Sequence, residues 1–315
     1  MSDTTAASTT AGRAAGTIYD LGYQHYEGQR YGRWHVIRTL TAFSFSAAFG
    51  SGRGGKARII PLIVMVIVFL PAIVMIGMAS AFGQPQLISY AQYLPSVVFF
   101  LALFTAAQAP EVIVADRQYG VLSLYLSRSL SVYDYIAAKL LAFTGALFVL
   151  TLGPQLVLFT GKILISVEPW TTFTNTYKDL WPIAGGTFIA ACYMAFIGLA
   201  LAAFSARRAY ASAAVMAFFV LMPALRGILT VIIQNPDGRR YTVLTNPFLV
   251  ITGFANWLWD IQASAQAVPR RFGAPASARA LVQAGLPNVY YLYAVLGTCA
   301  VALVLLGLRY RRTEV

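Results

Sequence analysis

Six long runs of apolar residues divide the sequence, and few charged side chains interrupt them. A transmembrane helix needs about 20 mostly apolar residues, because a rise of about 1.5 Å per residue then crosses a hydrocarbon core of about 30 Å. The runs occupy residues 59–82, 93–115, 136–160, 182–204, 211–233 and 289–308. This pattern predicts an all-α membrane protein whose transmembrane domain, residues 59–308, has six helices.

The residues before the first run follow a different pattern, in which one side of a helix is mostly apolar. Apolar or small side chains recur every three or four residues, at Trp34, Ile37, Thr41, Phe45 and Ala48. We interpret residues 30–58 as an amphipathic helix on the membrane surface followed by a basic joint, with a packed cytoplasmic helix as the alternative. The polar residues 1–29 indicate a disordered cytoplasmic tail, and residues 309–315 a second cytoplasmic tail.

The link between the second and third runs mixes charged and apolar residues. From 114 to 139 it reads VADRQYGVLSLYLSRSLSVYDYIAAK. It is too apolar for a solvated linker and too polar to cross a bilayer. A short amphipathic helix at the inner membrane face fits this composition, because its apolar side would dock into a groove of a soluble partner while its charges fix the register.

An interrupted apolar stretch precedes the sixth run. Asn246, Pro247 and Asn256 break residues 241–260, and its tryptophans prefer the membrane interface. We interpret the stretch as an external re-entrant segment or surface helices. A seventh span is the alternative, and it would place the arginines of the C-terminus on the opposite side.

Lysine and arginine predict the orientation of the chain. Seven precede the first span, Arg207 and Arg208 fill the link between spans four and five, and three follow the last span. The link between the first two spans has none. The positive-inside rule therefore predicts a multi-pass protein of the cell (inner or cytoplasmic) membrane, with both termini and the 114–139 link in the cytoplasm. Five arginines within 234–288 oppose this orientation, but long loops follow the rule weakly.

Composition supports a membrane protein and limits its partners. Apolar residues make up 58% of the chain and charged residues 11%, with a net charge of +12. Because the basic residues cluster beside the spans, we expect membrane lipids with anionic head groups as partners and no nucleic acid. The two cysteines, Cys192 and Cys299, fall within spans and form no disulfide or zinc pattern.

The sequence offers little catalytic chemistry. GSGRGGK at 50–56 matches part of a phosphate-binding loop, but Ala57 replaces the hydroxyl that would reach magnesium and no strand precedes it. We interpret it as a flexible basic joint. The only histidines, His25 and His35, lie before the first span, and the acids are scattered. We therefore expect no catalytic residue, no metal site and no cofactor in this chain.

The 114–139 link resembles the cytoplasmic signature of the ATP-binding-cassette type 2 exporter permeases. In that family an acid and an Arg precede Gly-Thr-Leu-Glu, then Leu-Ser-Arg-Pro-Leu-Ser, and a Lys opens the next span. The matching residues here are Gly120, Leu122, Arg128, Leu130, Ser131 and Lys139. Val121, Ser123 and Ser129 replace the family's Thr, Glu and Pro. With six spans, an N-terminal surface helix and a long external segment, the resemblance covers most of residues 30–312.

The resemblance implies a transport subunit without catalysis of its own. A separate ABC ATPase would bind ATP and Mg²⁺ and push a coupling helix at 116–134, and a second permease subunit, identical or different, would complete the pathway. The implied ATPase-coupling residues are Asp116, Arg117, Gly120, Val121, Leu122, Tyr125, Arg128, Leu130 and Lys139. Members of the family export drugs, antibiotics, lipids, peptides and polysaccharides, and the sequence does not select among these substrates.

Arg226 lies within the fifth span and needs an explanation. An unpaired charge there costs roughly 2.5 kcal/mol or more, so the side chain must face the bundle, a cavity or a partner. Contact with an acidic or polar substrate in the transport pathway is one interpretation. A structural ion pair, or a helix that sits less deep in the membrane, is the other.

Two other classes of protein remain as alternatives to an exporter subunit. An ion-gradient-driven secondary transporter would need acids or histidines at mid-membrane and an internal repeat. A membrane-embedded enzyme would need clustered catalytic side chains. The sequence shows none of these features.

Overall fold

The computed structural model describes residues 32–52, 54–85, 89–121, 125, 130–259, 281 and 284–311. The predicted tails at 1–29 and 312–315 lie outside these residues. Within them every regular element is helical. The helices are α1 (Arg33–Ala48), α2 (Ile59–Ala81), α3 (Tyr90–Gln118), α4 (Val132–Ile165), α5 (Pro169–Thr176), α6 (Leu180–Ala203), α7 (Arg208–Ile232), α8 (Pro236–Tyr241), α9 (Pro247–Leu258) and α10 (Val289–Arg311). Short 3₁₀ turns occupy Gly55–Arg58, Tyr177–Asp179 and Thr242–Thr245.

Six helices in the described residues are long and apolar enough to cross a membrane, as the sequence predicted. They are α2, α3, α4, α6, α7 and α10. The structural boundaries extend beyond the apolar runs, most clearly in α4, whose 34 residues span about 51 Å. Asp134, at its start, belongs to the helix although it lies before the predicted apolar run. Arg309 and Arg311, which the sequence assigned to a tail, likewise belong to α10.

The spans alternate in direction, which gives the bundle two distinct ends. We define the basal end by Arg33, Gln118, Val132, Ala203, Arg208 and Arg311, and the distal end by Ala81, Tyr90, Ile165, Ile232 and Val289. Contacts hold each group together: Arg33 pairs with Asp134 at the basal end, and Tyr90 stacks on Trp259 at the distal end. Because the number of crossings is even, α2 begins and α10 ends at the same end.

Three helices form the centre of the bundle and three lie around it. About two thirds of the apolar windows of α3, α4 and α6 are buried, whereas those of α2, α7 and α10 are mostly exposed. In a bilayer these exposed apolar faces would meet lipid. Gly198 lets α6 approach α3 closely, since a Cβ there would collide with the side chain of Thr105.

Helix α1 packs along α4. Arg33 pairs with Asp134, and Phe45 lies beside Gly145, where an added Cβ would be 3.6 Å from its ring. The contacts are twelve residues apart on α1 and eleven apart on α4, so the helices run side by side. These contacts match the packed-helix alternative rather than a helix that rests only on lipid. The predicted apolar face is also displaced, because Trp34 is 82% exposed and Ser44 is buried.

The interrupted stretch before α10 forms no seventh span. Its apolar helix, α9, has 12 residues and is about 18 Å long. Phe248 at the start of α9 packs against Phe99, nine residues into α3 from its distal start, and against Phe219, in the middle of α7. Trp259, which follows α9, stacks on Tyr90 at the distal end. The first turn of α9 therefore lies deeper in the bundle than its last.

Candidate functional site

Among the described residues, three ion pairs join four helices at the basal end. Arg33 of α1 pairs with Asp134 of α4 at 2.7 Å, Lys139 of α4 with Asp116 of α3 at 2.7 Å, and Arg208 of α7 with Glu111 of α3 at 2.9 Å. Each pair joins residues distant in sequence, so hydropathy cannot find it. Helices α3 and α4 each take part in two of the pairs and lie at the centre of the network.

The Asp116–Lys139 pair is almost fully buried. Asp116 is 8% exposed and Lys139 is 2% exposed. The hydroxyl of Tyr135 donates a 2.9 Å hydrogen bond to Asp116 Oδ2, and Lys139 Nζ lies 5.5 Å from the centre of the Tyr135 ring. Tyr135 precedes Lys139 by four residues, so one turn of α4 presents both groups to the carboxylate. Removing either charge would leave the other buried without its partner.

Two arginines hold the end of α6. Arg117 Nη1 donates to the carbonyl of Ala203 at 2.9 Å, and Arg117 Nη2 donates to the carbonyl of Ser205. Arg309 Nε donates to the same Ala203 carbonyl at 3.3 Å. The last carbonyls of a helix have no donor within the helix and carry partial negative charge, which favours arginine at this position. The ends of α3, α6 and α10 are thereby fixed to one another.

Arg208 fixes the start of α7 to the end of α3. Its Nε donates to Gln118 Oε1 at 2.8 Å, and Gln118 Nε2 donates to the carbonyl of Ala206 at 3.3 Å. The guanidinium of Arg208 also lies 5.1 Å from the centre of the Tyr119 ring. The link between α6 and α7 is therefore bound to α3 on both sides.

The start of α4 has a capping box. The Ser131 hydroxyl accepts from the backbone of Asp134, and the Asp134 carboxylate accepts from the backbone of Ser131. Arg33 donates two hydrogen bonds to the same carboxylate, at 2.9 and 2.7 Å, and these bonds raise the pKa of Arg33. The direction in which the chain enters α4 is thus fixed from α1.

The predicted coupling segment leaves α3 directly beside this network. Gly120 has a φ of +68° with open space around its Cα, so its backbone conformation rather than crowding favours glycine. Tyr125 is half-buried with its ring 6.3 Å from that of Tyr135. Burial, and then the Asp116 charge, raise the pKa of Tyr125. Leu122 and Arg128, with the rest of 122–124 and 126–129, lie outside the described residues.

The structure separates the predicted coupling residues into two groups. Asp116, Leu130 and Lys139 are buried, and Arg117 binds the end of α6, so these four do not form an outer surface of this chain. Gly120 is exposed, and Val121 and Tyr125 are half-buried. The first group holds the helices in place, and among the coupling residues that the structure describes only the second is open to direct contact with another protein.

Two exposed tyrosines within the segment were not among the predicted coupling residues. Tyr119 is 72% exposed and lies under Arg208, and Tyr133 is 58% exposed with Arg311 5.7 Å from its ring. Tyrosine and arginine are enriched where proteins bind one another. A signal was present, since each tyrosine lies at a helix end next to charged residues. We call Trp34, Tyr119 and Tyr133, with Arg208 and Arg311, the basal aromatic surface.

The other candidate residues form no metal-binding cluster in the part of the chain that the structure describes. No group of three His, Cys, Asp or Glu side chains there is placed to bind a metal ion. The glycines of the 50–56 joint make a tight turn after a helix, with φ of +75° at Gly50 and +79° at Gly52. Arg226 lies far from the basal end, in the distal third of α7, within electrostatic range of Tyr291.

No protein-family model matches this sequence, and no curated protein matches it.

Proposed function

We propose that this chain is the membrane-spanning permease subunit of an ATP-driven ABC exporter, in which a separate ATPase subunit acts on the basal end. The main support is the position of the 116–134 segment, whose sequence resembles a coupling helix. The segment begins and ends within a network of ion pairs and hydrogen bonds that joins α1, α3, α4, α6, α7 and α10. A push on this segment would therefore reach several spans together.

The buried ion pair provides the first step of this transmission. Asp116 lies in the last turn of α3, where the segment begins, and Lys139 lies two turns into α4, the helix after it. Their 2.7 Å contact fixes α3 and α4 to each other, so a displacement of the segment between them moves both helix ends. In this proposal Asp116, Arg117 and Lys139 are positioning residues, which act through the helices rather than by touching the ATPase.

The basal aromatic surface would supply the direct contact. Tyr119 and Tyr133 lie near the two ends of the segment, and each has an arginine over its ring. Exposed aromatic rings with neighbouring guanidinium groups suit a protein interface, because they bury a large area and lose little conformational entropy. Gly120, Val121 and Tyr125 would extend this contact along the segment.

The orientation proposed from the sequence agrees with this arrangement of charges. The basal end carries Arg33, Arg58, Arg208, Arg309 and Arg311, next to the ends of the spans. We propose that this end faces the cytoplasm, where positive residues accumulate beside membrane helices and where ATP is available. The α8–α9 stretch at the distal end would then be an external re-entrant segment, with the start of α9 directed into the bundle.

Co-purification tests the function. The full chain, tagged and extracted in mild detergent from its native membrane, should retain an ATPase subunit that hydrolyses ATP. Tyr119→Ala should reduce its recovery about tenfold, the effect of losing about 1.4 kcal/mol of binding free energy. Tyr293→Ala is the matched control, because Tyr293 is 64% exposed but lies near the distal end. The function is wrong if the chain alone moves solute down an ion gradient and no ATPase accompanies it.

A further inference from the structure

Arg226 lies on the side of α7 that faces the bundle. It follows Phe219 by seven residues, or about two helical turns, and Phe219 follows the buried Val215 and Ala211 at intervals of four. Arg226 itself is partly buried, and its Nε atom is shielded from solvent. The Nε edge of the guanidinium is therefore turned toward the bundle.

This guanidinium has no acidic partner among the described residues. The ion pairs there involve other basic residues, and Arg226 Nε makes no hydrogen bond. A charged group within a transmembrane helix is costly when it is unpaired, and side chains of this kind face a cavity, a partner or an ion pathway. A negatively charged ligand would offset the cost.

Tyr291 supplies a second unused donor beside Arg226. It is 1% exposed, and its hydroxyl makes no hydrogen bond. Its ring packs so closely on α9 that a Cβ on Gly253 would lie 2.6 Å from two ring carbons, which fixes the direction of the hydroxyl. Arg226 and Tyr291 are close enough to interact electrostatically. A buried polar group without a partner is rare and needs an explanation.

Both donors lie in the distal part of the bundle. Arg226 precedes the end of α7 by six residues, or about 9 Å, and Tyr291 is two residues into α10. On the outer side of α7 the neighbouring Leu221, Leu225 and Ile228 are exposed. An oxyanion that reached the two donors could thus leave an attached apolar chain on this surface. A water molecule would satisfy the tyrosine but would not neutralise the arginine.

We propose that Arg226 and Tyr291 bind the phosphate or carboxylate group of an anionic amphiphile at the distal end of the bundle. The planar guanidinium donates to an oxyanion, and the phenol donates a second hydrogen bond that fixes its orientation. The ligand's identity as exported cargo rests on the function proposed above, whereas its binding to these two residues does not.

Binding to the full chain in phosphatidylcholine nanodiscs tests this site without the ATPase. The probes are dihexanoylphosphatidic acid, decanoate and inorganic phosphate, with the thermal midpoint of unfolding followed against probe concentration. Arg226→Gln should weaken the binding of at least one probe about tenfold or more, since a hydrogen bond from a charged donor to an oxyanion is roughly twice as strong as one between neutral groups. Tyr291→Phe, which keeps the ring, should weaken it about threefold, and Arg226→Lys should retain part of the binding.

Arg239→Gln is the matched control, because Arg239 is exposed in α8 near the same end. It should leave every affinity unchanged. Stronger binding of dihexanoylphosphatidic acid or decanoate than of phosphate identifies an amphiphile, and equal binding of phosphate identifies a free oxyanion in the same site. The inference is overturned if no probe distinguishes the wild type from Arg226→Gln. If Arg226-dependent binding is found but no ATPase co-purifies, the site stands and the transport function fails.

Discussion

Lys139 Nζ lies 2.7 Å from Asp116 Oδ2, and both side chains are almost completely buried where the predicted coupling segment leaves α3 and returns to α4. Transferring two charges out of water costs as much as their attraction returns, unless other hydrogen bonds complete the arrangement. The hydroxyl of Tyr135 provides such a bond. The pair therefore defines how the two helix ends meet more than it stabilises the fold.

Removing one charge of this pair should strongly destabilise the protein. Asp116→Asn or Lys139→Met leaves a buried charge without its partner, and the expected loss in the free energy of unfolding is about 3–5 kcal/mol. Thermal unfolding in detergent measures it. Asp237→Asn is the control, because its contact with Arg240 is 3.7 Å and exposed, and the expected change is within about 0.5 kcal/mol. If Asp116→Asn and Asp237→Asn lowered the free energy of unfolding equally, burial would not be what makes the Asp116–Lys139 pair sensitive to the loss of one charge.

Hydropathy predicted the spans because the suitability of an apolar run for the lipid environment depends on its own residues and not on the rest of the chain. The basal network could not be found in this way, since Arg33 meets Asp134 and Arg208 meets Glu111 only after the helix ends have been brought together. The face of α1 is displaced from the predicted one for the same reason. Ser44 is buried against the bundle, and the spacing of apolar residues in the sequence does not reveal that contact.

The close approach of α3 and α6 at Gly198 should be sensitive to one added methyl group. Gly198→Ala places a Cβ against the Thr105 side chain, and overpacking of this kind costs about 1–3 kcal/mol. Thr105→Ala removes the colliding atom, so the double variant should recover most of the lost thermal stability. Gly297→Ala, at an open position of α10, is the control and should not destabilise. Failure of Thr105→Ala to rescue Gly198→Ala would show that the two helices are not packed as described.

The backbone at Gly120 should affect partner binding more than folding. Gly120→Ala must adopt a φ of +68°, at a cost of about 1–2 kcal/mol, although its Cβ would meet no neighbour. Asparagine tolerates this conformation better than other residues. Recovery of the ATPase should therefore decrease in the order glycine, asparagine, alanine, with the thermal midpoint lowered only slightly. Equal recovery of the ATPase with all three proteins would show that the turn at Gly120 does not affect the binding of the ATPase.

The double variant Asp116→Asn/Lys139→Met distinguishes a positioning role of the pair from a role in proton transport. Replacing both charges of a buried pair is often nearly neutral for stability. If the pair only holds α3 against α4, the double variant should fold, retain the ATPase and hydrolyse ATP at close to the wild-type rate, whereas each single variant should not. A proton carrier would behave differently, since neither replacement can take up or release a proton near neutral pH. Vesicles containing the chain alone and a pH-sensitive dye should then show an ATP-independent proton flux in the wild type that the double variant lacks, and this result would replace the exporter with an ion-driven transporter.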